Sequence, residues 1–181
     1  MDPSGLSADQ PEATRRMPFP RATDVPRLAG MGAVEPHPMK TVTEFPVETV
    51  EYPDMAIVMP DGCRLSARVW MPKGASNQPV PAILEYLPYR KRDGTTARDS
   101  LTHPYLAGHG YACLRVDMRG NGDSEGLMPD EYDEQELQDA CDVIAWIVQQ
   151  PWCTGKVGMM GISWGGFNAL QVAAMQPPGL D

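Results

Sequence analysis

The pentapeptide Gly161-Ile162-Ser163-Trp164-Gly165 constrains this chain more than any other stretch. It lies between an apolar run, "KVGMMG", and an apolar, helix-like segment from Trp164 to Met175. A serine at a sharp strand-to-helix turn needs small residues two places before and two places after it, because the backbone reverses and packs tightly there. Gly161 and Gly165 supply them, and Gly166 adds room. The bland alternative is a chance Gly-x-Ser-x-Gly in a glycine-rich turn, and the strand before it and helix after it argue against that. A serine nucleophile needs a base, and the base needs a carboxylate to orient it. Sixteen residues follow Gly165, and none is a histidine.

The segments around the pentapeptide predict an α/β domain. "DMAIVMPDGCRLSARVWMP" reads as strand, Asp61-Gly62 turn and strand, a hairpin signal. Within it, Leu65, Ala67 and Val69 alternate with Arg64, Ser66 and Arg68, the period of a half-buried strand. "VPAILEYLP" is a continuous apolar run that suits a buried parallel strand. "HPYLAGHG" predicts a short helix, and "YACLRVDMRG" a fourth strand ending in charged residues. Asp130 to Gln150 is the clearest helix. Asp133 and Glu136 resemble a capping box, and Leu137, Ala140, Cys141, Ile144, Ile147 and Val148 share one face. "KVGMMG" is a fifth strand. A hairpin followed by strand-helix repeats implies a mainly parallel sheet flanked by helices.

Residues 1–45 differ from the rest. They hold seven of the nineteen prolines, scattered charges of both signs and no sustained apolar periodicity. Such composition does not offset its ordering entropy, so this segment is expected to be a largely disordered leader, with the domain running over residues 46–181. The net charge of −9 argues against a nucleic-acid partner or an anionic membrane surface. No window approaches the roughly 18 apolar residues that span a bilayer. Charged residues and prolines break any secretory apolar stretch at the start, which makes the cytoplasm the default expectation. The four cysteines are dispersed without a C-x-x-C pair and read as free, packed thiols. No cofactor and no metal is expected.

Other chemistry-bearing groups are fewer. "RGNGDSEG" contains a Gly-x-Gly, but its spacing is wrong for a dinucleotide fingerprint, and Asp123 and Glu125 would repel a pyrophosphate. It reads as a structural loop. His37 falls in the leader, and His103 and His109 flank the short helix, where they read as capping or packing residues. Asp181 follows the last helix too soon to be the orienting acid. "EYLPYRKRDG" leaves the third strand, where Tyr89 places a hydroxyl donor among Arg90, Lys91 and Arg92. A surface tyrosine is the alternative, and the position just past the third strand raises Tyr89 above it.

"DGCRLSARVWMP", "LPYRKRDG", "GYACLRVDMRGNGDSEG" and "QQPWCTGKVGMMGISWGG" occur in one order. Over roughly residues 48–178 the chain resembles the X-prolyl dipeptidyl-peptidase and cocaine-esterase (CocE/NonD) group of α/β-hydrolases. The last of these blocks is the most specific. The resemblance implies that Ser163 attacks an acyl carbonyl. It also implies that the Tyr89 hydroxyl and the backbone N–H of Trp164 hold the oxyanion. Tyrosine is frequent after the serine in that group, so Trp164 is a departure, expected to alter pocket shape and leave the mechanism. Members continue through a helical cap, strands carrying the Asp and His of the triad, and a jelly-roll domain.

The resulting expectation is the N-terminal part of a serine-type acyl hydrolase acting on a small-molecule ester or peptide. The alternative is a non-catalytic α/β fragment or interaction module. A lactone or haloalkane reaction fits less well, because serine occupies the turn. By itself the chain is expected to be catalytically silent and marginally stable, with its fifth strand an unpaired edge exposing Val157, Met159, Met160 and Ile162.

Overall fold

The Asp61-Gly62 turn is where the fold begins, in a computed structural model that describes residues 42 and 44–181. Gly62 takes φ 86°, and the Asp61 carboxylate accepts the Cys63 N–H at 3.0 Å, so the chain reverses tightly. The turn joins strands β1 (Thr49–Val58) and β2 (Arg64–Pro72), which pair antiparallel. Strands β3 (Val80–Leu87), β4 (Ala112–Asp117) and β5 (Cys153–Met160) complete a sheet of order β1-β2-β4-β3-β5. β2 pairs antiparallel with β4, while β4, β3 and β5 run parallel. The three parallel strands therefore end on one edge.

Helices α1 (Thr96–Gly108) and α2 (Glu134–Val148) connect the parallel strands, and α3 (Trp164–Met175) follows β5. In β3, Leu84 and Tyr86 join the core with Ala140, Val143, Ile144 and Ile147 of α2, whereas Glu85 between them reaches Arg98 of α1. Because successive strand side chains face opposite ways, α1 and α2 cover opposite faces of the sheet. Each fully buried aliphatic side chain here contributes about 1.5–3 kcal/mol. All six residues of β4 are buried, Arg115 and Asp117 included, and burial pushes the Cys113 thiol up to about 12. All four cysteines are free.

Four expectations need correction. β2 is not half-buried: apart from Arg64 and Arg68 it is buried throughout, Ser66 included. It lies inside the sheet, and the Ser66 N–H donates to Ser124 Oγ at 2.9 Å under the loop that follows β4. The short helix begins earlier, at Thr96, and contains Pro104. Its buried face carries Asp99, His103 and Ala107, so polar side chains hid the periodicity. On α2 the buried stripe is Glu136, Asp139, Ala140, Val143, Ile144 and Ile147, turned from the face expected. Asp133 does cap this helix, accepting the Gln135 N–H at 2.9 Å, but Glu136 accepts from Tyr132 N–H instead of closing a box on Asp133.

The fourth correction concerns β5. Its outer edge is partly paired, because Pro177–Asp181 turns back beside it. Val157 N–H donates to the Gly179 carbonyl at 2.8 Å, and Asp181 N–H donates to the Val157 carbonyl at 2.9 Å. Leu180 thereby bridges Val157 in parallel, and Lys156 pairs with Asp181 at 2.9 Å. The leader expected over residues 1–45 lies outside the described residues, apart from Val42, Glu44 and Phe45. The Phe45 ring meets Tyr105 edge-on at 6.0 Å. No helix among the described residues is long and apolar enough to cross a membrane.

Removing residues 177–181 strips two backbone hydrogen bonds from β5. Each is worth about 0.5–1.5 kcal/mol. Thermal unfolding should show a Tm lower by roughly 5 °C. Light scattering should show more self-association, since the bare edge offers unpaired N–H and C=O groups.

Candidate active site

Ser163 is held at φ 53°, ψ −116°, a conformation that non-glycine residues adopt only when the surroundings compel it. The compulsion is steric. A Cβ built on Gly161 would lie 2.3 Å from the Gly165 carbonyl carbon, and one on Gly165 would lie 2.9 Å from Leu87 Cδ2. Only glycines let the end of β5, the start of α3 and the end of β3 come this close. The apolar β5 and α3 then hold the turn from both sides, and the Ser163 side chain is left exposed at its apex.

Tyr89 reaches the same place from β3. The loop after Leu87 is fixed by charges beneath it. Lys91 N–H donates to Asp117 Oδ1 at 2.8 Å, and Gly94 N–H donates to the Arg90 carbonyl at 3.1 Å. A Cβ on Gly94 would sit 1.8 Å from the Tyr89 carbonyl oxygen, so this loop also needs its glycine. The wholly buried Lys91 ammonium pairs with Asp123, which also takes Arg92. Arg115, itself fully buried, donates to the Leu87 carbonyl at 3.3 Å and to that of Val116 at 2.8 Å. Burial raises the Asp117 carboxyl above its ordinary value, against the N–H groups of Asp123 and Lys91 that lower it. The "RGNGDSEG" segment is thus a structural loop, as read, and it clamps the Tyr89 loop.

The outcome is a contact between the two sides. Trp164 N–H, the first backbone donor past the serine, donates to Tyr89 Oη at 3.2 Å. The three residues singled out in the sequence, Ser163, Trp164 and Tyr89, are brought to one point at the carboxyl ends of β3 and β5. Ligands in open α/β sheets bind at such ends. Around them, the Tyr132 ring packs at a tilt against the Trp164 indole at 5.4 Å and meets Phe167 at 6.1 Å, an aromatic surface beside the serine.

The histidines lie elsewhere. His103 is fully buried on α1, with Nδ1 3.3 Å from the Asp99 carbonyl, and burial lowers its pKa. His109 follows α1, with Nδ1 2.7 Å from the Tyr105 carbonyl. Both pack or cap as expected. His37 lies outside the described residues. Glu85, Asp99 and His103 bring ligand-type atoms within 4.8 Å of one another, but Arg98 already pairs with both carboxylates and Arg115 with Asp99. Sequence reading missed Glu136, which accepts the Trp164 indole N–H at 2.9 Å. Its signal was a carboxylate on the same helical face as Ala140, Ile144 and Ile147.

Parallel strands ending at a strained serine, with a neighbouring strand delivering a hydroxyl to the next N–H, define an α/β-hydrolase. Solved structures agree. A CocE/NonD family hydrolase from Staphylococcus aureus superposes with TM-score 0.64 at 20% identity, over 81% of this chain and 32% of that one. An α-amino-acid ester hydrolase superposes with TM-score 0.57 at 27% identity, over 84% and 27%. Residues 61–181 match the X-Pro dipeptidyl-peptidase (S15) family, and the chain belongs to it. Cocaine esterase from Rhodococcus sp. (strain MB1 Bresler) is 34% identical over 128 residues, 70% of this chain and 22% of the esterase. The chain spans about a quarter of the length of the curated relatives it matches.

Three substitutions test this arrangement. Gly161→Ala should destabilise by about 3 kcal/mol through overpacking against Gly165. Gly158→Ala, where a Cβ meets nothing within 4 Å, should stay within about 1 kcal/mol of the parent in urea unfolding. Asp123→Asn strands the buried Lys91 ammonium and should cost about 3–5 kcal/mol at neutral pH. The Lys91 hydrogen bond holds the Asp123 carboxyl below its ordinary value of 3.8, so its contribution is complete above that pH. The gap between parent and variant in a pH series of unfolding midpoints should therefore close as pH falls below that value.

Proposed function

We propose that this chain carries the nucleophile and oxyanion hole of a serine-type acyl hydrolase that cleaves esters or amides through an acyl-enzyme. What supports the reading is the Trp164 N–H to Tyr89 Oη contact of 3.2 Å beside a serine at φ 53°. Two donor groups converge where a carbonyl oxygen would sit during attack by Ser163. The tyrosine hydroxyl accepts from Trp164 while its own proton is free to be donated. With substrate in place, both groups turn their hydrogens onto the oxygen as it gains charge, and such preorganised donors lower the barrier most. Ser163 Oγ attacks the carbonyl carbon and gives its proton to a base, the leaving alcohol or amine takes a proton, and water then resolves the acyl-enzyme.

On this reading the base and its orienting carboxylate come from outside the described residues, because both described histidines bond main-chain carbonyls at α1. The reading is therefore of the N-terminal part of a larger hydrolase, silent by itself. The faces of α3 support this. Phe167, Leu170 and Met175 are exposed on a helix whose other side packs on the sheet. A helix apolar all round belongs in an interior. The same observations favour, as a second reading, a non-catalytic α/β module for the chain alone. The substrate is an ester or amide with a small acyl portion, met by the Tyr132, Trp164 and Phe167 rings.

In the whole hydrolase, Ser163→Ala should abolish fluorophosphonate labelling and turnover. Tyr89→Phe should lower kcat by roughly 10²–10³ with KM little changed, the effect of losing one oxyanion donor. An unchanged kcat would return Tyr89 to an ordinary surface tyrosine. Comparing a benzoate ester with a Pro-linked chromogenic dipeptide assigns the substrate class, and activity on neither would defeat the reading.

A further inference from the structure

Resting on the acyl-hydrolase reading, we propose that Glu136 is a positioning residue for the oxyanion hole, acting through the Trp164 side chain. Glu136 is buried on the first turn of α2, and its carboxylate is satisfied by three neutral N–H donors. Oε2 accepts from Tyr132 N–H at 2.9 Å, and Oε1 accepts from the Trp164 indole at 2.9 Å and from Asn168 Nδ2 at 2.8 Å. Among the described residues no salt bridge includes Glu136, so these donors replace the water it lost.

The three donors are arranged to a purpose. Trp164 and Asn168 are four residues apart on α3 and share a face, so one carboxylate anchors the first turn of that helix at two points. One of these is the residue whose backbone N–H meets Tyr89. The third, Tyr132, has φ 61°, and its ring packs at a tilt against the indole. The indole ring is thus fixed by a hydrogen bond and by an aromatic contact. The Ser163 conformation persists only where its surroundings over-determine it. The glycines permit that conformation, and Glu136 fixes where the following N–H points. This also gives the tryptophan a role that phenylalanine cannot fill and that a plain pocket wall would not need.

The test uses the whole hydrolase with Glu136→Gln, Trp164→Phe and the double variant. Trp164→Phe keeps the backbone N–H and an aromatic ring while removing the indole donor. Each single change should lower kcat by roughly tenfold and leave KM within about threefold, and the double variant should lose little more, since the two act through one bond. Affinity for an arylboronic acid, which forms a tetrahedral adduct on serine, should fall in parallel with kcat. A merely structural role predicts activity tracking the folded fraction, with kcat per folded, titratable site unchanged. That result, or full activity in Trp164→Phe, overturns the proposal. Should Glu136→Gln fail to fold, Trp164→Phe decides alone. A parent enzyme that neither turns over nor labels at Ser163 defeats the hydrolase reading, and this inference with it.

Discussion

The approach of Gly161 to Gly165 is the contact on which the rest of this site depends. With hydrogen atoms in place of side chains, the end of β5 and the first turn of α3 share a space that a single methyl group would close. That closeness forces Ser163 to φ 53° and leaves its side chain exposed at the end of the strand. It also sets Gly165 against Leu87, so the serine turn and the β3 end are registered by direct packing. Parallel pairing of β3 with β5 does the remaining alignment, matching Glu85 to Met160 just before both chains leave the sheet.

A second organising element is charge inside the sheet's surroundings. Glu85, Lys91, Asp99, Arg115 and Asp117 are all essentially without solvent contact. Moving such groups out of water is expensive, and their pairing roughly offsets that expense without adding much net stability. Their consequence is positional. Arg115 ties the Leu87 carbonyl, Asp117 ties the Lys91 N–H, and Asp123 ties the Lys91 side chain, so the loop bearing Tyr89 has few alternatives. An apolar filling of the same volume would leave that loop free to move. The Gly122 turn belongs to the same device, since a Cβ there would overlap the Asp117 carboxylate at 2.1 Å.

The two halves of the site are thus supported by different means. The serine side rests on backbone packing, on Glu136 of α2 and on the Tyr132 ring against Trp164. The tyrosine side rests on a buried ion network between the loops after β3 and β4. They meet at one hydrogen bond, Trp164 N–H to Tyr89 Oη. Both sides lie within residues 61–181, the stretch that matches the S15 family.

The sequence alone determined the elements whose causes are local. The Gly-x-Ser-x-Gly turn, the Asp61-Gly62 hairpin and α3 from Trp164 to Met175 follow from backbone freedom and apolar content, which neighbouring residues express directly. Ser163 and Tyr89 were legible because the turn and the strand end mark their positions. Tertiary structure decided what depends on partners distant in the chain. The buried face of α1 carries Asp99 and His103, and only Arg115 and Glu85, far along the chain, make their burial tolerable. β2 reads as half-buried until the loop from Met118 to Gly126 covers it. Glu136 reads as a capping residue until α3 arrives with two donors. Pro177–Asp181 becomes the partner of β5 only once the chain has turned back upon it. Polar groups buried against distant partners leave no periodicity in a sequence, because the partner, not the neighbour, decides whether burial is tolerable.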